Sequence, residues 1–127
     1  MIKFIICDDN EDFILREKNI IQNLMMNCDT EYEIKEFSDY TTKFNDAMND
    51  ESSFKIYLLD IQTDTSSGLD IARRIREEQD DWQSMIIVVT AYPEFKYEAL
   101  GKRLLLVDFV NKFDNFVKTI NLEAYRL

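Results

Sequence analysis

The sequence contains no histidine, one proline, two glycines and two cysteines. Each shortage removes a class of function. Without histidine, and with only two thiols, the usual four-ligand zinc site cannot be assembled. Two glycines leave no glycine-rich phosphate loop, and with a single proline they leave no inter-domain linker. Two cysteines do not make a disulfide framework. Cys7 lies in an apolar run and Cys28 at an expected helix end, so both read as free thiols buried as small hydrophobes. No apolar run approaches the roughly 18 residues of a membrane span. Acids begin at Asp8, so the N-terminal run does not read as a secretory leader, and the expected compartment is the cytoplasm. Positive charge is scarce too. Fifteen Lys and Arg face 25 Asp and Glu, for a net charge of −10. Such a surface repels phosphate backbones, which argues against nucleic-acid binding by this chain alone.

What is present is a core. The chain has 127 residues, 46% of them apolar, which suits one domain over residues 1–127. Short, nearly continuous apolar runs recur: Ile2 to Cys7, Ile56 to Leu59, Met85 to Val89 and Leu104 to Val110. Runs of this kind fit strands buried on both faces of a parallel sheet. Tyr32 to Phe37 alternates instead, as an edge strand does. Helical stripes fall between the runs. Phe13, Ile20, Ile21, Leu24, Met25 and Cys28 form the first, and Tyr40, Phe44, Ala47 and Met48 the second. Leu69, Ala72, Ile75 and Gln79 form a third after Gly68. Pro93 opens a short fourth helix, Glu94 to Leu100, stopped by Gly101, and Phe113 to Ala124 carries a fifth. The alternation predicts an α/β fold, a doubly wound five-stranded parallel sheet with helices on both faces.

The polar residues that close the apolar runs are the informative ones. Counting the alternating segment as the second expected strand, the first strand ends in Asp8-Asp9, the third in Asp60, the fourth in Thr90 and the fifth in Lys112. Taken singly, each has an ordinary explanation: a helix cap, a structural ion pair, a strand hydroxyl, a solvated lysine. Ligands of open α/β sheets bind outside the carboxyl ends of the strands, so the fold would bring all five to one edge. Carboxylates suit a hard dication, and Mg²⁺ takes one or two of them with waters and phosphate oxygens. The backbone carbonyl of Gln62 would add another oxygen. A carboxylate left free is a nucleophile that forms an acyl phosphate. Lys112 would steady the charge on the transferred group, and the Thr90 hydroxyl could donate to it.

With these residues in place the chain resembles the receiver domain of two-component response regulators. The stretches that carry the resemblance are Ile6-Cys7-Asp8-Asp9-Asn10, Leu58-Leu59-Asp60-Ile61-Gln62, Gly68-Leu69-Asp70, Val88-Val89-Thr90-Ala91 and Asp108-Phe109-Val110-Asn111-Lys112. The resemblance implies a strand order of 2-1-3-4-5. It implies Asp60 as phosphoacceptor, Asp8 and Asp9 as metal acids, Thr90 as switch hydroxyl, Phe109 as switch aromatic and Lys112 as the phosphate-contacting lysine. It also implies Mg²⁺ as cofactor and a sensor histidine kinase as phosphoryl donor. DNA contact would belong to an output domain absent from this chain. Asp-Ile-Gln after the third run, the acidic loop before Gly68 and Val-Asp-Phe-Val before Lys112 resemble receivers that precede LytTR-type domains, such as accessory gene regulators. Phe113 stands where the family has a cis proline, and the proline expected shortly after Asp60 is missing, which predicts altered loops at both places. Apolar residues from the fourth helix to the fifth (Phe95, Tyr97, Leu100, Leu104, Phe116) mark a face suited to a homodimer.

Two other readings compete. A haloacid-dehalogenase-like Mg-dependent phosphatase also uses a strand-end Asp, but wants a second Asp where Gln62 stands. A flavodoxin-like flavin binder needs a Ser/Thr/Gly-rich loop where Asp8-Asp9-Asn10-Glu11-Asp12 stands.

Overall fold

The computed structural model describes residues 1–50, 54–61, 63 and 67–90 in full except the Thr90 side chain, and the backbone of 108–111. Five parallel strands form one sheet: β1 Ile2–Cys7, β2 Tyr32–Phe37, β3 Phe54–Asp60, β4 Met85–Thr90 and β5 Asp108–Asn111. Their order is β2-β1-β3-β4-β5, as the resemblance implied. Three helices lie between the first four strands: α1 Glu11–Met25, α2 Thr42–Asn49 and α3 Gly68–Arg73. The expected fourth and fifth helices, and the dimer face drawn from them, lie outside the described residues.

The continuous apolar runs are explained by the pleat. Successive residues point to opposite faces, and both faces are covered. Phe4, Ile6, Ile56, Leu58, Ile87 and Val89 meet Ile14, Ile21 and Met25 of α1. Ile5, Cys7, Tyr57, Leu59, Ile86 and Val88 meet Phe44 and Met48 of α2 and Leu69, Ile71 and Ala72 of α3. Burying a Leu, Ile, Val or Phe side chain contributes about 1.5–3 kcal/mol, so this two-sided core is what fixes the strand order and holds the carboxyl edge still. β2 pairs only with β1 and is mostly half-buried or exposed, in keeping with its alternating sequence.

The structure departs from the sequence reading in three places. Helix α1 stops at Met25, so Cys28 is not on its stripe and is exposed, whereas Cys7 is buried as expected. Tyr40 precedes α2 instead of belonging to it. The third helix changes pitch: after Arg73 it widens into a π-helical turn, Arg74–Glu78, with the Gln79 amide donating to the Arg74 carbonyl at 3.0 Å. Asp80 then reverses the chain at φ 54°, a left-handed conformation that Asp tolerates better than most residues.

Candidate functional site at the carboxyl edge of the sheet

Strands β1 and β3 are neighbours, with Cys7 opposite Leu59 as the last registered pair. One step further, Asp8 leaves β1 and Asp60 ends β3, so two acids 52 positions apart in sequence stand side by side. Carboxylate oxygens of Asp8, Asp9 and Asp60 all lie within 4.8 Å of one another. Asp8 and Asp60 are buried, and Asp9 is exposed.

The helix-cap explanation for the first two acids does not hold. The cap of α1 is Asn10, whose side-chain oxygen accepts from the amides of Asp12 at 2.9 Å and Phe13 at 3.3 Å. The Asp8 carboxylate accepts from the Asn10 amide at 2.9 Å, which orients it over the strand end.

Asp60 is held by its backbone. Its carbonyl accepts from the Tyr40 hydroxyl at 2.8 Å. The next amide, Ile61, donates to the Val89 carbonyl at 3.1 Å, and the Ile61 carbonyl accepts from the Gly68 amide at 2.8 Å. Gly68 passes so close that an added Cβ would stand 2.2 Å from the Asp60 carbonyl oxygen. Only glycine fits this approach of helix to strand end. Ser67 starts that helix, its hydroxyl accepting from the Leu69 amide at 3.2 Å. Beside Tyr40, Asp39 accepts from the Thr63 hydroxyl and the Tyr40 amide, tying the loop after β2 to the loop after β3.

The neighbouring titratable groups register the acidic field. Burial, then the charge of Asp39, pushes the Cys7 thiol far up, with Asp60 and Asp8 adding to it. Burial also drives the Tyr40 phenol well above its ordinary value, with Cys7 and Asp60 contributing, so it is a neutral donor to the Asp60 carbonyl.

The donor set fits a hard dication. It offers only carboxylate oxygens, gathered closely enough to bind one ion, and concentrates negative charge beside an apolar core where a cation is needed to offset it. The remaining expected site residues are placed less fully. Thr90 ends β4 at the same edge, since Asp60 pairs with Val89. Phe109 lies in β5 opposite Val88. For both the backbone alone is described, and Gln62 and Lys112 lie outside the described residues. Tyr40 and Gly68 are site-supporting residues whose roles the sequence did not disclose. Gly68 stood out only within the Gly68-Leu69-Asp70 stretch, and Tyr40 passed as one more member of a helical stripe.

The response regulator receiver domain model matches residues 4–121. The chain belongs to that family. No protein of curated function matches it in sequence. Solved receivers share its fold at low identity. The response regulator DrrB of Thermotoga maritima, an OmpR/PhoB homologue, is 23% identical with a TM-score of 0.71, covering 99% of this chain. This chain spans about half of DrrB, 52% of its length. TrrA of the same organism, solved in complex with Mg²⁺-BeF, is 22% identical over the full length of both chains, with a TM-score of 0.68. A receiver domain from Clostridium thermocellum is 15% identical with a TM-score of 0.76, covering 99% of this chain and 93% of its own. This receiver is thus a signalling domain of the two-component type, and no helix among its described residues is long and apolar enough to cross a membrane.

Proposed function

We propose that this receiver accepts a phosphoryl group on Asp60 from a sensor histidine kinase in a Mg²⁺-dependent reaction, and passes the change to an output domain outside this chain. The observation that carries the reading is the gathering of Asp8, Asp9 and Asp60 within 4.8 Å at the ends of β1 and β3. Asp8, Asp9 and Asp60, with the Gln62 carbonyl, hold the ion. Bound there, Mg²⁺ supplies the positive charge that lets an anionic phosphoryl group approach three carboxylates.

The residues do the rest. Tyr40 and Gly68 fix the Asp60 backbone, so its carboxylate meets the donor in one orientation. An Asp60 oxygen attacks phosphorus and an O–P bond forms. The bond to the donor's imidazole nitrogen breaks, and that nitrogen keeps the electron pair. Lys112 steadies the phosphoryl oxygens, and the Thr90 hydroxyl donates to one of them. Phe109 turns inward as Thr90 is drawn towards the site. The product is an aspartyl phosphate, so the domain is a phosphoacceptor, not a turnover enzyme. The TrrA complex with Mg²⁺-BeF supports the chemistry by similarity of fold. The LytTR-type features of the sequence favour a transcriptional output, with phosphorylation biasing a monomer–dimer equilibrium.

Intact-mass measurement after treatment with acetyl phosphate and Mg²⁺ tests the assignment. Wild type is expected to gain one phosphate and Asp60→Asn none. Equal labelling of the two rejects Asp60 as the acceptor.

A further inference from the structure

The carboxyl edge of the sheet carries a further acid outside the cluster of three. Asp39 stands in the loop between β2 and α2. After burial, its charge is the largest influence on the Cys7 thiol, ahead of that of Asp60, so it lies beside the cluster. The oxygens gathered within 4.8 Å are nevertheless those of Asp8, Asp9 and Asp60. Beside three carboxylates a fourth adds repulsion, and its hydrogen bonds show what it does there instead.

Asp39 Oδ1 accepts from the Thr63 hydroxyl at 2.5 Å and from the Tyr40 amide at 2.8 Å. The Tyr40 hydroxyl in turn donates to the Asp60 carbonyl at 2.8 Å. Two adjacent residues of one loop therefore grip both ends of the 60–63 segment that leaves β3. Thr63 and Tyr40 are buried, at 6% and 8% exposure, so water competes little for either bond. Between the two grips, Ile61 is bonded through both its amide and its carbonyl. Gln62, the expected carbonyl ligand, shares a planar peptide with the Thr63 nitrogen, so a hold on Thr63 restricts where that oxygen can go.

Such a hold matters more to one dication than to another. Mg²⁺ demands near-ideal octahedral geometry at about 2.0–2.1 Å, whereas Ca²⁺ accepts six to eight oxygens at about 2.3–2.6 Å in flexible arrangements. A fixed backbone oxygen favours the smaller ion.

Resting on the reading of the acidic edge as a dication site, we infer that Asp39 and Thr63 are positioning residues that set its preference for Mg²⁺ over Ca²⁺. They act through the turn after β3 and not as ligands. Asp39 holds Thr63, and Thr63 holds the turn against the three carboxylates.

Titration of the chain with Mg²⁺, and separately with Ca²⁺, followed by amide NMR shifts, gives both dissociation constants and shows that each variant is folded. Thr63→Val removes the hydroxyl and keeps every charge. It is expected to weaken Mg²⁺ about tenfold, as loss of an outer partner of a metal site does, and to change Ca²⁺ by less than about twofold. Thr63→Ala, which also lacks the hydroxyl, is expected to match it. Thr63→Ser keeps the hydroxyl and is expected to retain the wild-type ratio of the two constants. Asp39→Asn keeps an acceptor oxygen and loses the charge, so it is expected to weaken both ions alike and leave the ratio unchanged. A wild-type ratio in Thr63→Val or Thr63→Ala, or a lowered one in Thr63→Ser, overturns the inference and leaves the metal site standing. A wild-type chain without Mg²⁺-dependent shifts overturns the site itself and this inference with it.

Discussion

Gly68 touches Asp60 backbone to backbone: the position its Cβ would take is 2.2 Å from the Asp60 carbonyl oxygen. Elsewhere at a helix position with ordinary φ, Gly→Ala stabilises by about 0.4–1 kcal/mol. Here the expected sign is reversed. Gly68→Ala must push α3 away from the end of β3, and overpacking of this kind costs about 1–3 kcal/mol. Urea denaturation measures it. Labelling of Asp60 is expected to slow in the same variant, because the strand end shifts with the helix.

Metal binding makes a second prediction. Three carboxylates within 4.8 Å repel one another, so Mg²⁺ is expected to raise the melting temperature. At a hundredfold excess over Kd the gain is about 2.7 kcal/mol. Asp8→Asn is expected to abolish the Mg²⁺ response and, by removing one charge, to make the metal-free protein more stable than wild type. Calorimetry with and without millimolar Mg²⁺ reads both effects, and a melting curve indifferent to Mg²⁺ counts against the site.

The two thiols are expected to separate cleanly. Cys28 is exposed and reacts with a thiol reagent in the native protein. Cys7 is fully buried with its thiol pushed up by burial and by Asp39, so it reacts only on unfolding. Mass spectrometry of a timed alkylation gives one fast and one slow adduct.

Asp81 predicts a pH effect. Burial works to raise its carboxyl, but hydrogen bonds from Ser84 and Gln83, with the Lys55 charge behind them, outweigh it and hold the group below its ordinary value of 3.8. A carboxyl depressed in the folded state stabilises fully above its unfolded value, and that contribution is lost as pH falls through the folded one. Asp81→Asn is therefore expected to be less stable than wild type near neutrality. The gap narrows as pH falls below about 4. A difference that stays constant across that range assigns Asp81 no pH-dependent role.

Much of this was legible in the chain. Continuous apolar runs such as Ile56 to Leu59 announce buried strands because both faces of each strand must be apolar, and the acids that end them stand out against that background. The order of the strands follows from the resemblance, and the core confirms it. What the sequence hides is contact between distant backbone groups. Tyr40 donates to a carbonyl, which every residue possesses, so nothing at position 60 signals the pairing. The close approach of Gly68 likewise depends on where α3 lands. Cys28 was misplaced because the apolar spacing of α1 continues past its last helical residue, Met25. The π-helical turn after Arg73 leaves no periodic trace, since five residues are too few to reset a stripe.

The acidic cluster has a consequence for folding. Asp8 and Asp9 follow directly on β1, Asp60 ends β3, and they meet only when β3 docks against β1. The β1-α1-β2 unit, which forms from nearer contacts, contains two of the three acids and cannot assemble the site. Closing that long loop is the slow kind of event in folding. An intermediate that stops at the first two strands therefore has no affinity for the metal, and the dication rewards only chains whose central strand is already in place.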